Sequence, residues 1–220
     1  MEYVLALRKL PQMMLKRAVY LIVFLLASVA GEAQINAYLG GNLSANYSWI
    51  RGGDASMEPG FGGGVNFVYW EYEYWFLKAG LDYYRKTSTM MDYPDDFGVE
   101  PENADDKINI TFAEQSIGIP LTAYFRPYEW GSNTILLTAS LRTLFVISLK
   151  EDSEEYGEIT LKGTDLNTRI KTNVGIGVGY QRQLDQHMYL NFIPSYNIDL
   201  RGDRAFNSIT LTVEWILGIY

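Results

Sequence analysis

The feature that most constrains this chain is a strict alternation of apolar and polar residues sustained over unusually long runs. Between Ile35 and Trp49 the odd positions read Ile35, Ala37, Leu39, Gly41, Leu43, Ala45, Tyr47 and Trp49. The even positions read Asn36, Tyr38, Gly40, Asn42, Ser44, Asn46 and Ser48. Successive side chains of a strand point to opposite faces, so this segment has one apolar and one polar face. Soluble sandwiches alternate too, but their strands average about five or six residues. A tilted strand needs roughly ten to cross a bilayer.

The pattern recurs seven more times, at about 60–70, 74–86, 115–126, 134–149, 169–183, 188–200 and 207–219. The third run sets Trp75, Leu77, Ala79, Leu81 and Tyr83 against Lys78, Gly80, Asp82 and Tyr84. The last sets Ile209, Leu211, Val213, Trp215 and Leu217 against Ser208, Thr210, Thr212 and Glu214. An even strand number suits a closed barrel with no free edge. The connections are sorted as well: 50–59, 87–114, 150–168 and 201–206 are mostly long, while 71–73, 127–133 and 184–187 are short. Long outer loops and tight periplasmic turns are the outer-membrane arrangement. The expected fold is therefore all-β, an eight-stranded antiparallel up-and-down transmembrane β-barrel over 34–220, with both termini periplasmic. Trp70, Trp75 and Trp130 fall near the periplasmic turns and Trp49 near the outer rim, as interfacial belts should.

The N-terminus reads as a signal peptide, residues 1–33. Arg8, Lys9, Lys16 and Arg17 precede the apolar run Ala18 to Val29, and small residues follow at Ala30, Gly31 and Ala33. Cleavage would leave Gly31 or Gln34 first. Removal of residues 1–33 would take away four basic and two acidic residues, moving the net charge from −8 to −10. Such an acidic chain has no cationic groove for nucleic acid. The charge is concentrated: 92–107 holds Asp92, Asp95, Asp96, Glu100, Glu102, Asp105 and Asp106 with one Lys, and 150–165 holds Glu151, Asp152, Glu154 and Glu155 among six acids. Both segments are assigned to outer loops, solvated, with weak capacity for a partner or a hard cation such as Ca²⁺. Arg201-Gly202-Asp203 matches an adhesion tripeptide but reads as a tight polar turn.

Parity sends Lys78, Asp82, Lys86, Arg126, Arg142, Lys171, Asp199 and Glu214 into the lumen. An eight-stranded interior is just wide enough for side chains to fill, so these charges must pair or cost several kcal/mol each. The expected arrangement is a polar plug in which Asp82 meets Lys78 or Arg126. The alternative is a small pore or ligand-binding lumen. His187, the only histidine, falls in a periplasmic turn beside Asp185. No catalytic, cofactor or metal site is assigned, and the chain is read as a non-enzymatic structural or accessory component.

Two motifs carry a family resemblance. Gln115-Ser-Ile-Gly-Ile-Pro-Leu-Thr-Ala-Tyr-Phe125 and Val174-Gly-Ile-Gly-Val-Gly-Tyr180 resemble strands of the PorT-like outer-membrane β-barrel family. The resemblance covers most of 34–220. It implies an outer-membrane barrel, in a family whose members range from secretion-machine accessories to barrels of no known role; a place in a larger secretion or assembly machine is one expectation. The chain departs from the usual barrel ending, since alternation turns Ile219 outward and Tyr220 inward.

Overall fold

The computed structural model describes residues 37–52, 55–69, 73–92, 107–162, 169–200 and 204–218. The signal segment 1–33, Trp70, the acids Asp95, Asp96, Glu100, Glu102, Asp105 and Asp106, the triplet 201–203 and the final Ile219 and Tyr220 lie outside them.

Nine strands run through the described residues: β1 Ala37–Ile50, β2 Ser56–Tyr69, β3 Trp75–Asp92, β4 Ile108–Trp130, β5 Asn133–Ser153, β6 Gly157–Lys162, β7 Ile170–Asp185, β8 Met188–Asp199 and β9 Phe206–Gly218. Every pairing is antiparallel. The order β4-β3-β2-β1-β9-β8-β7-β5 closes on itself through β4 and β5, giving an eight-stranded barrel. β6 stands outside the ring, hairpinned onto the upper part of β5.

Parity holds as expected through the membrane zone. Leu39, Leu81, Leu121, Ile176 and Leu211 are each at least half exposed, while Asn42, Asp82 and Thr122 are buried. An apolar exterior this continuous would drive a water-soluble protein to aggregate, and it is what a lipid-facing wall requires. The turn at 127–133 is tighter than expected. β4 continues to Trp130, and Gly131 and Ser132 alone join it to β5. Gly131 has φ of 58°, the left-handed backbone that two-residue hairpin loops demand.

The outer end departs further from expectation. β3 and β4 extend through 87–92 and 108–114, pairing from Thr87 with Ala113 to Asp92 with Ile108. The segment 150–168 also begins as strand, not loop. Ser116 pairs with Val146 while Gln115 pairs with Ser148, leaving Ile147 as an extra residue. That bulge reverses the parity of β5, so Leu149 turns inward onto Ile50, Ile110, Phe112 and Phe206. On the extended wall the sides are exchanged: Ile110 and Phe112 are buried while Asn109 and Thr111 face out.

Candidate functional site

The lumen is the place where β-strands from every side bring polar chemistry together. It contains a set of ionic ties crossing between non-adjacent strands. Lys78 on β3 pairs with Glu214 on β9, whose carboxylate also accepts from Tyr124 Oη at 2.8 and 2.9 Å and from Asn191 Nδ2 at 3.2 Å. Lys86 on β3 reaches Asp199 on β8 at 2.7 Å, and Asp199 also accepts from Asn173 Nδ2 at 2.8 Å and the Phe206 N–H at 3.2 Å. Lys171 on β7 reaches Glu114 on β4 at 2.5 Å and donates to the Arg204 carbonyl at 2.7 Å. Arg142 donates to Asn173 and Asn197 at 3.2 and 2.7 Å, with its guanidinium 5.4 Å from the Tyr84 ring centre.

Two expectations fail here. Asp82 meets neither Lys78 nor Arg126. It accepts from Asn42 Nδ2 at 2.9 Å and Tyr84 Oη at 2.8 Å, a neutral solvation shell. Lys78 is committed to Glu214 instead. Arg126 lies at the end with the short turns, held by Glu129 at 2.8 Å and the Glu73 carbonyl at 3.0 Å. Tyr84 reaches Asp82 because its ring passes over glycine: a Cβ on Gly62 or Gly118 would stand only 2.9 or 3.1 Å from it.

Glu151, expected on a solvated loop, is fully buried and paired with Arg204, whose guanidinium also lies 4.1 Å from the Phe112 ring centre. It is not available to an external cation or partner. Asp92 ends β3 opposite Ile108, Asp152 is exposed on β5, and Glu154 and Glu155 are exposed in the β5–β6 turn. Glu158 is held below the usual carboxylate range by a hydrogen bond from Lys150. The buried Glu114, absent from the expected set, was legible by carrying the even-inward parity of β4 back one more step.

The polar middle is closed at both ends. Toward the short turns, Val68, Phe76, Tyr124, Leu136, Ile193 and Ile216 form one buried apolar cluster, with Phe76 stacked on Tyr124 at 4.4 Å. Toward the opposite end, Ile50, Ile110, Phe112 and Phe206 form a second. Between them a cavity of about 10 Å³, bordered by Asn46, Tyr84, Lys86, Arg142, Asn173 and Thr210, has room for one water. Among the described residues the lumen offers a small organic ligand no space. His187 sits in the β7–β8 turn, its carbonyl accepting from the Gly218 N–H at 2.8 Å, far from the lumen carboxylates in the topology.

No family model matches the chain, and no curated protein matches it. Solved structures do. The crystal structure of Neisserial surface protein A aligns with a TM-score of 0.53 at 14% identity, over 83% of this chain and 97% of that one. A major outer membrane protein from Thermus thermophilus aligns with a TM-score of 0.50 at 12% identity, over 82% and 99%. The fold is that of the small outer-membrane β-barrels. At these identities the likeness carries architecture and nothing finer.

Proposed function

We propose that this chain is a non-enzymatic, non-conducting barrel, integral to the outer membrane, that serves as a structural or accessory component of a larger secretion or assembly machine. The observation that carries this reading is the filled lumen. Lys78, Lys86, Lys171 and Arg204 are each tied to a buried carboxylate, and an apolar cluster closes each end. Such an interior leaves only the lipid-facing flank and the outer loops for recognition. Orientation with both termini periplasmic is supported by the sorting of loop lengths and by the acidic segment at 92–107. Processing of residues 1–33 as a signal peptide and kinship with PorT-like barrels belong to the same reading.

Two measurements test it. Purified protein in a planar bilayer should give no conductance steps above leak, and discrete steps would replace this reading with the pore. A photo-crosslinking residue at Tyr156, exposed in the β5–β6 turn, should give a discrete higher-mass adduct on whole cells. Loss of that adduct only when the crosslinker is moved to lipid-facing Leu81 would support a loop-borne contact. An adduct from Leu81 alone would place the partner on the flank. Intact mass of membrane-extracted protein should begin at Gly31 or Gln34.

A further inference from the structure

On the exterior of β3, β4, β5 and β6 the residues are layered by charge. The last apolar row at the outer border is Tyr83, Ile117 and Phe145, joined by strand pairing. The row beyond it reads Arg85, Gln115, Ser148 and Lys162 across all four strands, Ser148 being covered and the two cations at its ends exposed. The next reads Thr87, Ala113, Lys150 and Thr160, and the third Thr89, Thr111, Asp152 and Glu158. Among the described residues of these strands, cations therefore occupy the two rows nearest the apolar band, and acids begin only at the third. Glu154 and Glu155 lie beyond it, in the turn that joins β5 to β6.

Arg85 and Lys162 are exposed, and neither side chain has a partner among the described residues. Lys150 is bound to Glu158 at 2.7 Å, drawn outward and away from the border. The first acidic row stands two rows above Arg85, roughly 13 Å along the strands. That exceeds the ~8 Å screening length at physiological salt, so the acids barely weaken the field at the border. Three strand spacings separate Arg85 from Lys162, roughly 14 Å. One phosphate cannot bridge that span, but two phosphates on one large headgroup or on adjacent headgroups can.

We infer that Arg85 and Lys162 form a docking row for the phosphate groups of outer-leaflet lipid headgroups, on the flank formed by β3, β4, β5 and β6. The inference rests on the proposed orientation, since only then does this row lie at the outer leaflet. Lys and Arg at an anionic surface each strengthen binding modestly, and two at headgroup depth set a preference among lipids rather than an irreversible attachment.

The test uses the full mature barrel, folded in mild detergent and examined by native mass spectrometry with diphosphorylated lipid A and with the same lipid after dephosphorylation. Wild type should retain the phosphorylated lipid preferentially. Arg85→Ala and Lys162→Ala should each weaken that retention about fivefold at physiological ionic strength, and together about twenty-five-fold. Both residues are exposed, so heat-modifiable migration should show all variants folded. Arg182→Ala, exposed at the opposite end, should leave retention unchanged. Equal retention of the two lipids by wild type, or undiminished preference in the double variant, overturns the inference while leaving membrane insertion intact. Loss caused by Arg182→Ala instead overturns it through the orientation. Competition by millimolar inorganic phosphate would show a free-anion site and overturn the lipid assignment. Failure of every variant, wild type included, to enter vesicles would sink the outer-membrane reading itself.

Discussion

The two halves of β4 make opposite use of the same alternation. From Ser116 to Tyr124 the even residues are buried and the odd ones, Ile117, Ile119, Leu121 and Ala123, are exposed apolar groups. From Ile108 to Phe112 the even residues Ile110 and Phe112 are buried apolar groups, and the odd Asn109 and Thr111 face out. One strand thus passes from a lipid-coated wall to a water-coated one. The inside changes with it: polar and charged side chains fill it within the membrane, and above it an apolar cluster packs beside the buried Glu151–Arg204 pair. The difference teaches that the medium outside the wall chooses the outer face. What closes the lumen is decided separately, by what neighbouring strands bring inward.

The sharpest break in that comparison should come at Phe112. Phe112→Ala removes a fully buried ring from the outer cluster and should cost about 3–5 kcal/mol. Thr111→Ala, one residue away on the water-facing side, should stay within about 0.5 kcal/mol. Urea unfolding in matched bilayers compares the two, and equal losses would mean the upper part of β4 is not packed as described. In the lower half the sensitivity moves to the other face. Leu81→Arg places a charge in lipid and should cost about 2–4 kcal/mol if Leu81 lies near the midplane, whereas Thr111→Arg should fold as wild type does. If Leu81→Arg folds equally well, the register of β3 is one residue off.

Lys78→Met leaves Glu214 without its cation. Removing one partner of a buried pair generally costs about 3–5 kcal/mol. Here Tyr124 and Asn191 still donate to the carboxylate, so the loss should lie at or below the lower end of that range. Lys78→Met with Glu214→Leu should recover most of it in a double-mutant cycle. Additive losses would show that the tie contributes nothing to holding β3 against β9. The smallest effect belongs to Glu158→Gln on the exposed hairpin. Its depressed carboxyl pKa means that the Lys150 contact helps above the ordinary carboxylate range and fades as pH falls through the lowered value. Because the group is fully solvated, Glu158→Gln should leave the unfolding midpoint unchanged at neutral pH, where the contact is complete.

Most of the membrane-spanning register was legible, for a specific reason. Leu81 and Asp82, or Leu211 and Thr212, stand on opposite sides of a wall whose two media differ sharply, so a period of two is enough to sort them. The lumen set was legible by the same parity, and Lys86, Arg142, Lys171, Asp199 and Glu214 all arrive inside. Their partners were not. The lumen set offered Lys78 or Arg126 to Asp82, but Lys78 pairs across the lumen with a residue 136 positions away. Glu151 was read as loop because β5 was expected to end at Leu149; the strand runs on to Ser153, and the extra residue at Ile147, which leaves no periodic trace, turns Glu151 inward.

The sequence by itself determined that this chain builds a closed wall of long strands with an apolar exterior, because alternation is a local property read one residue at a time. Only the tertiary structure decided which buried charges meet, where a bulge reverses a face, and that two apolar clusters seal the polar middle. Those outcomes depend on ring closure, which sets strands distant in sequence at fixed stagger across a lumen that side chains must fill.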